Sequence, residues 1–180
     1  LVLVGCSKDG TSNSGEKDFT FIANTTQEPQ SFHPNRVSDD GAWPINQNIF
    51  NRLVKLNAFN EFVPDLAKDW EFSDDGLTLT FNLHDNVTWH DGEPFSSADV
   101  KYTYDTMLAE SWAHANSLST VESIDTPDEN TVVFNLKNSD SSIVAKLSWY
   151  GTFVLPNHIY EGTDHATNPA NQSPVGTVPC

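Results

Sequence analysis

A chain of 180 residues with 25 Asp and Glu against nine Lys and Arg carries a formal charge of −16 at pH 7. That excess repels phosphate backbones and anionic headgroups, so nucleic acid and charged membrane surfaces are excluded as partners. Hydrophobic residues at 37%, with five Trp and 11 Phe, are enough for a packed core.

The first residues, Leu3-Val4-Gly5-Cys6, fit a lipobox, in which the Cys takes diacylglycerol. Residues 1–5 read as the end of a signal peptide and 6–18 as a flexible tether, because Ser7 to Asp18 contains no large apolar residue. Cys6 is thus the expected lipidation site and the membrane attachment. With Cys6 modified, Cys180 has no partner within the chain, and no disulfide is expected. No stretch approaches the ~20 apolar residues of a membrane span.

Phe19 to Ala23 reads as a first strand. Glu61 to Asp65 reads as a loop. Trp70-Glu71-Phe72 leads through Ser73-Asp74-Asp75-Gly76 into Leu77, Leu79, Phe81 and Leu83, which alternate with polar residues and predict a strand with one apolar face. The Asp-Gly pair predicts a type I′ or related hairpin turn. Val87 and Trp89 predict a further short strand, closed by His90-Asp91-Gly92. Ser96 and Asp99 have capping-box spacing, and Val100, Tyr104, Met107 and Leu108 give the helix behind it one apolar face.

A second hairpin follows. Thr131 to Leu136 alternates, Thr126 to Asn130 supplies its turn, and the three-residue step from Val121 to Ile124 predicts a bulged partner. Ser139 to Ser142 then opens a helix carrying Ile143, Val144 and Leu147.

The order Leu66-Ala67-Lys68-Asp69-Trp70, Gly76, Thr78, Phe81, Leu83, Trp89-His90-Asp91-Gly92 and Ala98-Asp99-Val100 strongly resembles the signature of the family 5 extracellular solute-binding proteins. These are receptors of oligopeptide and dipeptide ABC importers. The resemblance runs from about Phe19 to Gly176, with departures at His84, where Arg or Lys is usual, and at Phe32-His33-Pro34, where Leu-Asp-Pro is common.

The resemblance implies a mixed α+β fold of the periplasmic-binding-protein type. Residues 19–48 would start lobe I with a strand and a ligand-proximal loop. Residues 49–150 would form lobe II from β-hairpins with packed helices, and 151–180 would return toward an incomplete lobe I. Family members are roughly three times as long, and Pro174-Val175-Gly176-Thr177 looks like the segment leading back into lobe I. The expectation is therefore a truncated receptor with an incomplete cleft. Residues 19–23 and 153–180 would then be poorly ordered for want of the sheet they pair with.

The implied ligand is a peptide and the implied partners are permease subunits, with the protein monomeric and extracytoplasmic. By the same resemblance, Ser38, Asp39, Asp40 and Trp43 lie near the ligand backbone, and Trp112 and His114 reach the cleft from lobe II. The first group also reads as an ordinary acidic loop with Trp43 at a helix start beside Pro44. Trp112 also reads as a cover for a helix end.

No cofactor, metal or enzymatic activity is expected. His84, His90, Asp91 and Glu93 are close in sequence but lack the i, i+4 spacing of a helical zinc pair, and His33, His114, His158 and His165 are scattered. No nucleophile elbow, phosphate-cradling Gly loop or Cys-His pair is present in the sequence. The alternatives are an acidic surface lipoprotein without a ligand, and a nickel, haem or sugar receptor on the same fold.

Overall fold

The computed structural model describes residues 27–36, 38–149 and 151–177. The expected first strand at 19–23 and the lipobox with Cys6 lie outside them. Among the described residues a four-stranded antiparallel sheet forms the centre, in the order β3-β4-β6-β5. Its strands are β3 (Ala67–Phe72), β4 (Thr78–Leu83), β5 (Val121–Asp128) and β6 (Thr131–Leu136). A separate two-stranded ribbon pairs β1 (Val54–Leu56) with β2 (Phe62–Pro64). The helices are α1 (Trp43–Asn46), α2 (Ser97–Ala109), α3 (Ile143–Leu147) and α4 (Asn157–Tyr160).

The sheet is one-sided, as its alternation requires. Leu79, Phe81 and Leu83 of β4 and Val132 and Phe134 of β6 are fully buried, while Thr78, Thr80, Asn82 and Asn135 on the other face are half-buried. Val100, Tyr104 and Met107 of α2 close the apolar face, with the Tyr104 and Phe134 rings 5.6 Å apart edge to face. The capping box forms as expected: Ser96 accepts from the Ala98 N–H, and the Asp99 carboxylate accepts from the Ser96 N–H at 2.9 Å.

Several local expectations change. Gly76 has φ +68° but Asp75 does not enter the left-handed region, so the β3–β4 turn is not type I′. Instead the Gly76 N–H donates to the Ser73 carbonyl, and the Asp75 carboxylate accepts from the Leu77 N–H and the Ser73 hydroxyl. Leu77 sits beyond the strand end and is exposed. Val87 to Phe95 forms a closed turn with a single bridge between Thr88 and Pro94 rather than a strand. β5 runs through Pro127 to Asp128, leaving only Glu129-Asn130 as the turn. The Glu61 to Asp65 stretch contains β2, whose short pattern has no alternation to mark it. The bulge in β5 is present between Val121 and Ser123.

The return segment is firmly seated, contrary to the expectation of disorder at 153 and beyond. Phe153, Val154 and Leu155 are fully buried in the core. The Val154 N–H donates to the Asn51 carbonyl and the Thr177 N–H to that of Ile49, both partners lying ahead of β1. Among the described residues, the segment finds these hydrogen-bond partners in the loop ahead of β1.

Candidate ligand-binding site

Residues 33–36 and 38–43 combine buried His33, Pro34 and Asn35 with exposed Arg36, Ser38, Asp40 and Trp43. Asn35 is fully buried, and its side-chain amide exchanges two hydrogen bonds with the backbone of Phe153, at 2.7 and 3.0 Å. Asp39 organises the rest of the loop. Its carboxylate accepts from the N–H groups of Gly41, Ala42 and Gln30, and its carbonyl accepts from Ala42 and Trp43. This carboxylate is turned into its own loop, just ahead of α1. Ser38 and Asp40 are exposed, and Trp43, at the start of α1 beside Pro44, is 37% exposed.

The second group meets the first. The Ala113 N–H donates to the Arg36 carbonyl at 3.4 Å, and the Trp112 ring stands edge-on to His33 at 4.9 Å. Trp112 is buried and donates its indole N–H to Glu110 at 2.9 Å, so it joins the core beneath the end of α2. His114 is half-buried, and burial pulls its pKa below the usual histidine value, which leaves the ring uncharged at neutral pH. The ring lies so close over Gly151 (φ +77°) that a Cβ there would come within 2.1 Å of it.

His114 also lines a cavity of about 330 Å³. Its lining includes Leu56 and Phe62 of the β1–β2 ribbon, His114 and Ser117, and Ala145 and Trp149 of the α3 region. Phe62 is 42% exposed and Trp149 62%, so two aromatic rings face solvent at its rim. Lys146 and Ser142 complete the lining. Lys146 is paired with Asp140 at 2.6 Å, and Ser142 donates its hydroxyl to the same carboxylate. Burial alone would raise Asp140, but the bonds from Lys146, Ser142 and Thr120 outweigh it and hold the carboxyl well below the usual range.

Scattered in sequence, His33 and His165 come together in space. Their rings lie 5.8 Å apart, packed with Trp112 and Tyr160. His165 is bonded at Nδ1 to Glu110 (3.0 Å) and at Nε2 to the Tyr102 hydroxyl (2.6 Å). His33 Nδ1 accepts from the Asn35 and Arg36 N–H groups. Burial first, then the charges of His165 and Arg36, push His33 down to about 3. The only available sequence signal was the departure at Phe32-His33-Pro34. Among the described residues no cluster of three His, Cys, Asp or Glu could hold a metal.

His90 and Asp91 are exposed and bond to later segments of the chain. His90 exchanges bonds with Gly176, its N–H donating to the Gly176 carbonyl and its Nδ1 accepting the Gly176 N–H. Asp91 pairs with His158 at 2.8 Å. The turn thereby holds the return segment, as a His in that turn can.

This chain matches the model of the bacterial extracellular solute-binding proteins, family 5 Middle, over residues 61–179. It is 39% identical over 158 residues to a Brucella ovis protein named as an ABC transporter peptide-binding protein, covering 83% of this chain and 29% of the relative. Among solved structures it resembles NikZ from Campylobacter jejuni in complex with Ni(L-His), with a TM-score of 0.77, 28% identity, and coverage of 86% of this chain and 31% of that one. The oligopeptide-binding protein AppA of Bacillus subtilis, in complex with a nonapeptide, gives a TM-score of 0.76 at 25% identity, over 84% and 31%. The chain thus spans under a third of the length of these relatives. It belongs to the family 5 bacterial extracellular solute-binding proteins.

Proposed function

We propose that this chain is part of the extracytoplasmic receptor of an ABC importer that takes up short peptides. It is read as a binding protein, not an enzyme. The observation that carries this is the 39% identity to a protein named as peptide-binding, sustained over 158 residues. Ser38, Asp40 and Trp43 would meet the ligand from the loop that Asp39 organises, and His114 from the neighbouring segment. Trp112 would support them from beneath. Cys6 would carry the lipid anchor, and the permease would be a separate membrane partner. Residues 49–150 would constitute lobe II, with 151–180 returning to lobe I.

Titration with a dipeptide, a tetrapeptide and a nonapeptide tests this, read by backbone amide shifts. Saturable shifts at Ser38, Asp40, Trp43 and His114 are expected, weakened at least fivefold by Trp43→Ala. The nickel-complex reading draws on the likeness to NikZ. Response to nickel–histidine alone would move the assignment there, and response to neither would leave an acidic surface protein without a ligand.

A further inference from the structure

We propose that the cavity between the β1–β2 ribbon and α3 is a subsite for one uncharged aromatic or branched aliphatic side chain of the ligand. The inference rests on the peptide-receptor reading and adds a preference to it. The cavity, about 330 Å³, lies at the small end of the roughly 300–1,000 Å³ of ligand pockets. That is room for one side chain with its backbone left at the rim.

The charge state of the lining selects the occupant. Lys146 is neutralised by Asp140. Ser142 already donates to Asp140, and Ser117 donates to the His114 carbonyl at 2.6 Å. His114 is held uncharged by burial. A carboxylate or ammonium entering here would lose water and gain no counter-charge. An apolar ring would instead lie between Phe62 and Trp149, covering surface that both leave in solvent. Position agrees with this, because His114 belongs both to the cavity lining and to the segment joined to Arg36 beside the Asp39 loop.

The test uses N-acetyl-L-phenylalaninamide and the α-amide of N-acetyl-L-aspartic acid, which keeps its side-chain carboxylate, as probes on the whole chain, followed by the Trp149 indole and Ala145 amide NMR signals. The phenylalanine probe should shift both saturably, at a concentration at least tenfold below the aspartate probe. Ala145→Trp, which fills the cavity from an exposed helical position, should abolish the response while other core signals stay in place. Trp149→Ala should weaken it at least fivefold, read on Ala145.

Equal response to both probes, no saturable shift, or an unchanged response in Ala145→Trp would overturn the subsite. Concentration-dependent shifts of Trp149 without any probe would also overturn it, by showing that a second copy of the chain fills the groove. Tetra-alanine, read at Ser38 and Asp40, tests the peptide reading separately. Shifts there with Trp149 silent to the phenylalanine probe would sink the subsite alone. The converse pattern would sink the peptide reading and reduce the cavity to a pocket for an uncharged side chain of some other ligand, overturning the subsite as proposed.

Discussion

Asn35 and Phe153, 118 residues apart, bind each other as two strands of a sheet would: the Asn35 Nδ2 donates to the Phe153 carbonyl and its Oδ1 accepts the Phe153 N–H. Both residues are fully buried. One side-chain amide thus stands in for a neighbouring backbone, and ties the segment at Asn35 to the one at Phe153.

Removing that amide should be costly. Asn35→Ala leaves a buried N–H and a buried carbonyl without partners, at roughly 1–3 kcal/mol each. Asn35→Asp keeps an acceptor but places a carboxylate against the Phe153 carbonyl, and should cost at least as much. Urea unfolding checks both. A loss below about 1 kcal/mol for Asn35→Ala would mean that the loop re-pairs elsewhere.

Acid should weaken the protein through His33. Its folded pKa, about 3, lies below the ordinary 6.5. The unfolded chain therefore takes up the proton first as pH falls. The stabilisation is complete above pH 6.5 and is lost progressively toward pH 3, at up to ~1.4 kcal/mol per pH unit for one proton. His114, lowered by burial, contributes in the same sense.

Replacing His33 isolates its share. His33→Asn keeps an acceptor near the Asn35 and Arg36 N–H groups but does not titrate. It loses ring contacts to Trp112 and Tyr160, for a penalty of about 1–2 kcal/mol at pH 7. Its deficit against the wild type should shrink steadily between pH 6.5 and 4, measured by urea midpoints. Parallel pH curves for the two proteins would remove His33 as the source.

What the sequence disclosed followed periodicity and spacing. β4, β6, α2 with its capping box, and α3 were all legible, because a one-sided element writes its period into the chain. β1 and β2 were not, since three-residue strands hold no full alternation. A type I′ or related turn was expected at Asp75-Gly76; the turn is there, but the Asp75 side chain found a local bond and, of the two, only Gly76 turned left-handed. At the candidate site, Trp43 at the start of α1 was legible from the adjoining Pro44. The cavity was not, because its walls come from residues about 90 positions apart, Leu56 and Trp149 among them.

Asp99 does more than its capping-box spacing suggests. One oxygen accepts from the Ser96 N–H and the other from the Asn157 N–H at 2.9 Å, so a single buried carboxylate starts α2 and anchors α4. Ser96→Ala should cost about 1 kcal/mol, the usual value of a cap. Asp99→Ala strips two N–H groups of their acceptor and should cost about 2–4 kcal/mol by the same accounting. Thermal melts of the two variants would separate the roles. Equal losses would show that the Asn157 bond contributes nothing.

Gly176 is needed for space. A Cβ there would stand 1.7 Å from the Ile49 carbonyl oxygen and 2.8 Å from the Ile49 side chain, so no side-chain carbon fits. The same residue exchanges bonds with His90, and Thr177 beside it bonds Ile49 and Asn51. Gly176→Ala should therefore detach the segment from 174 onward while the sheet and α2 stay folded, since their core lies in the earlier hairpins. In hydrogen exchange, protection of the His90 and Thr177 amides should fall at least tenfold, with the β4 and β6 amides unchanged. Collapse of the whole chain would instead make this glycine part of the central core. Unaltered protection at Thr177 would show that the contact with Ile49 yields.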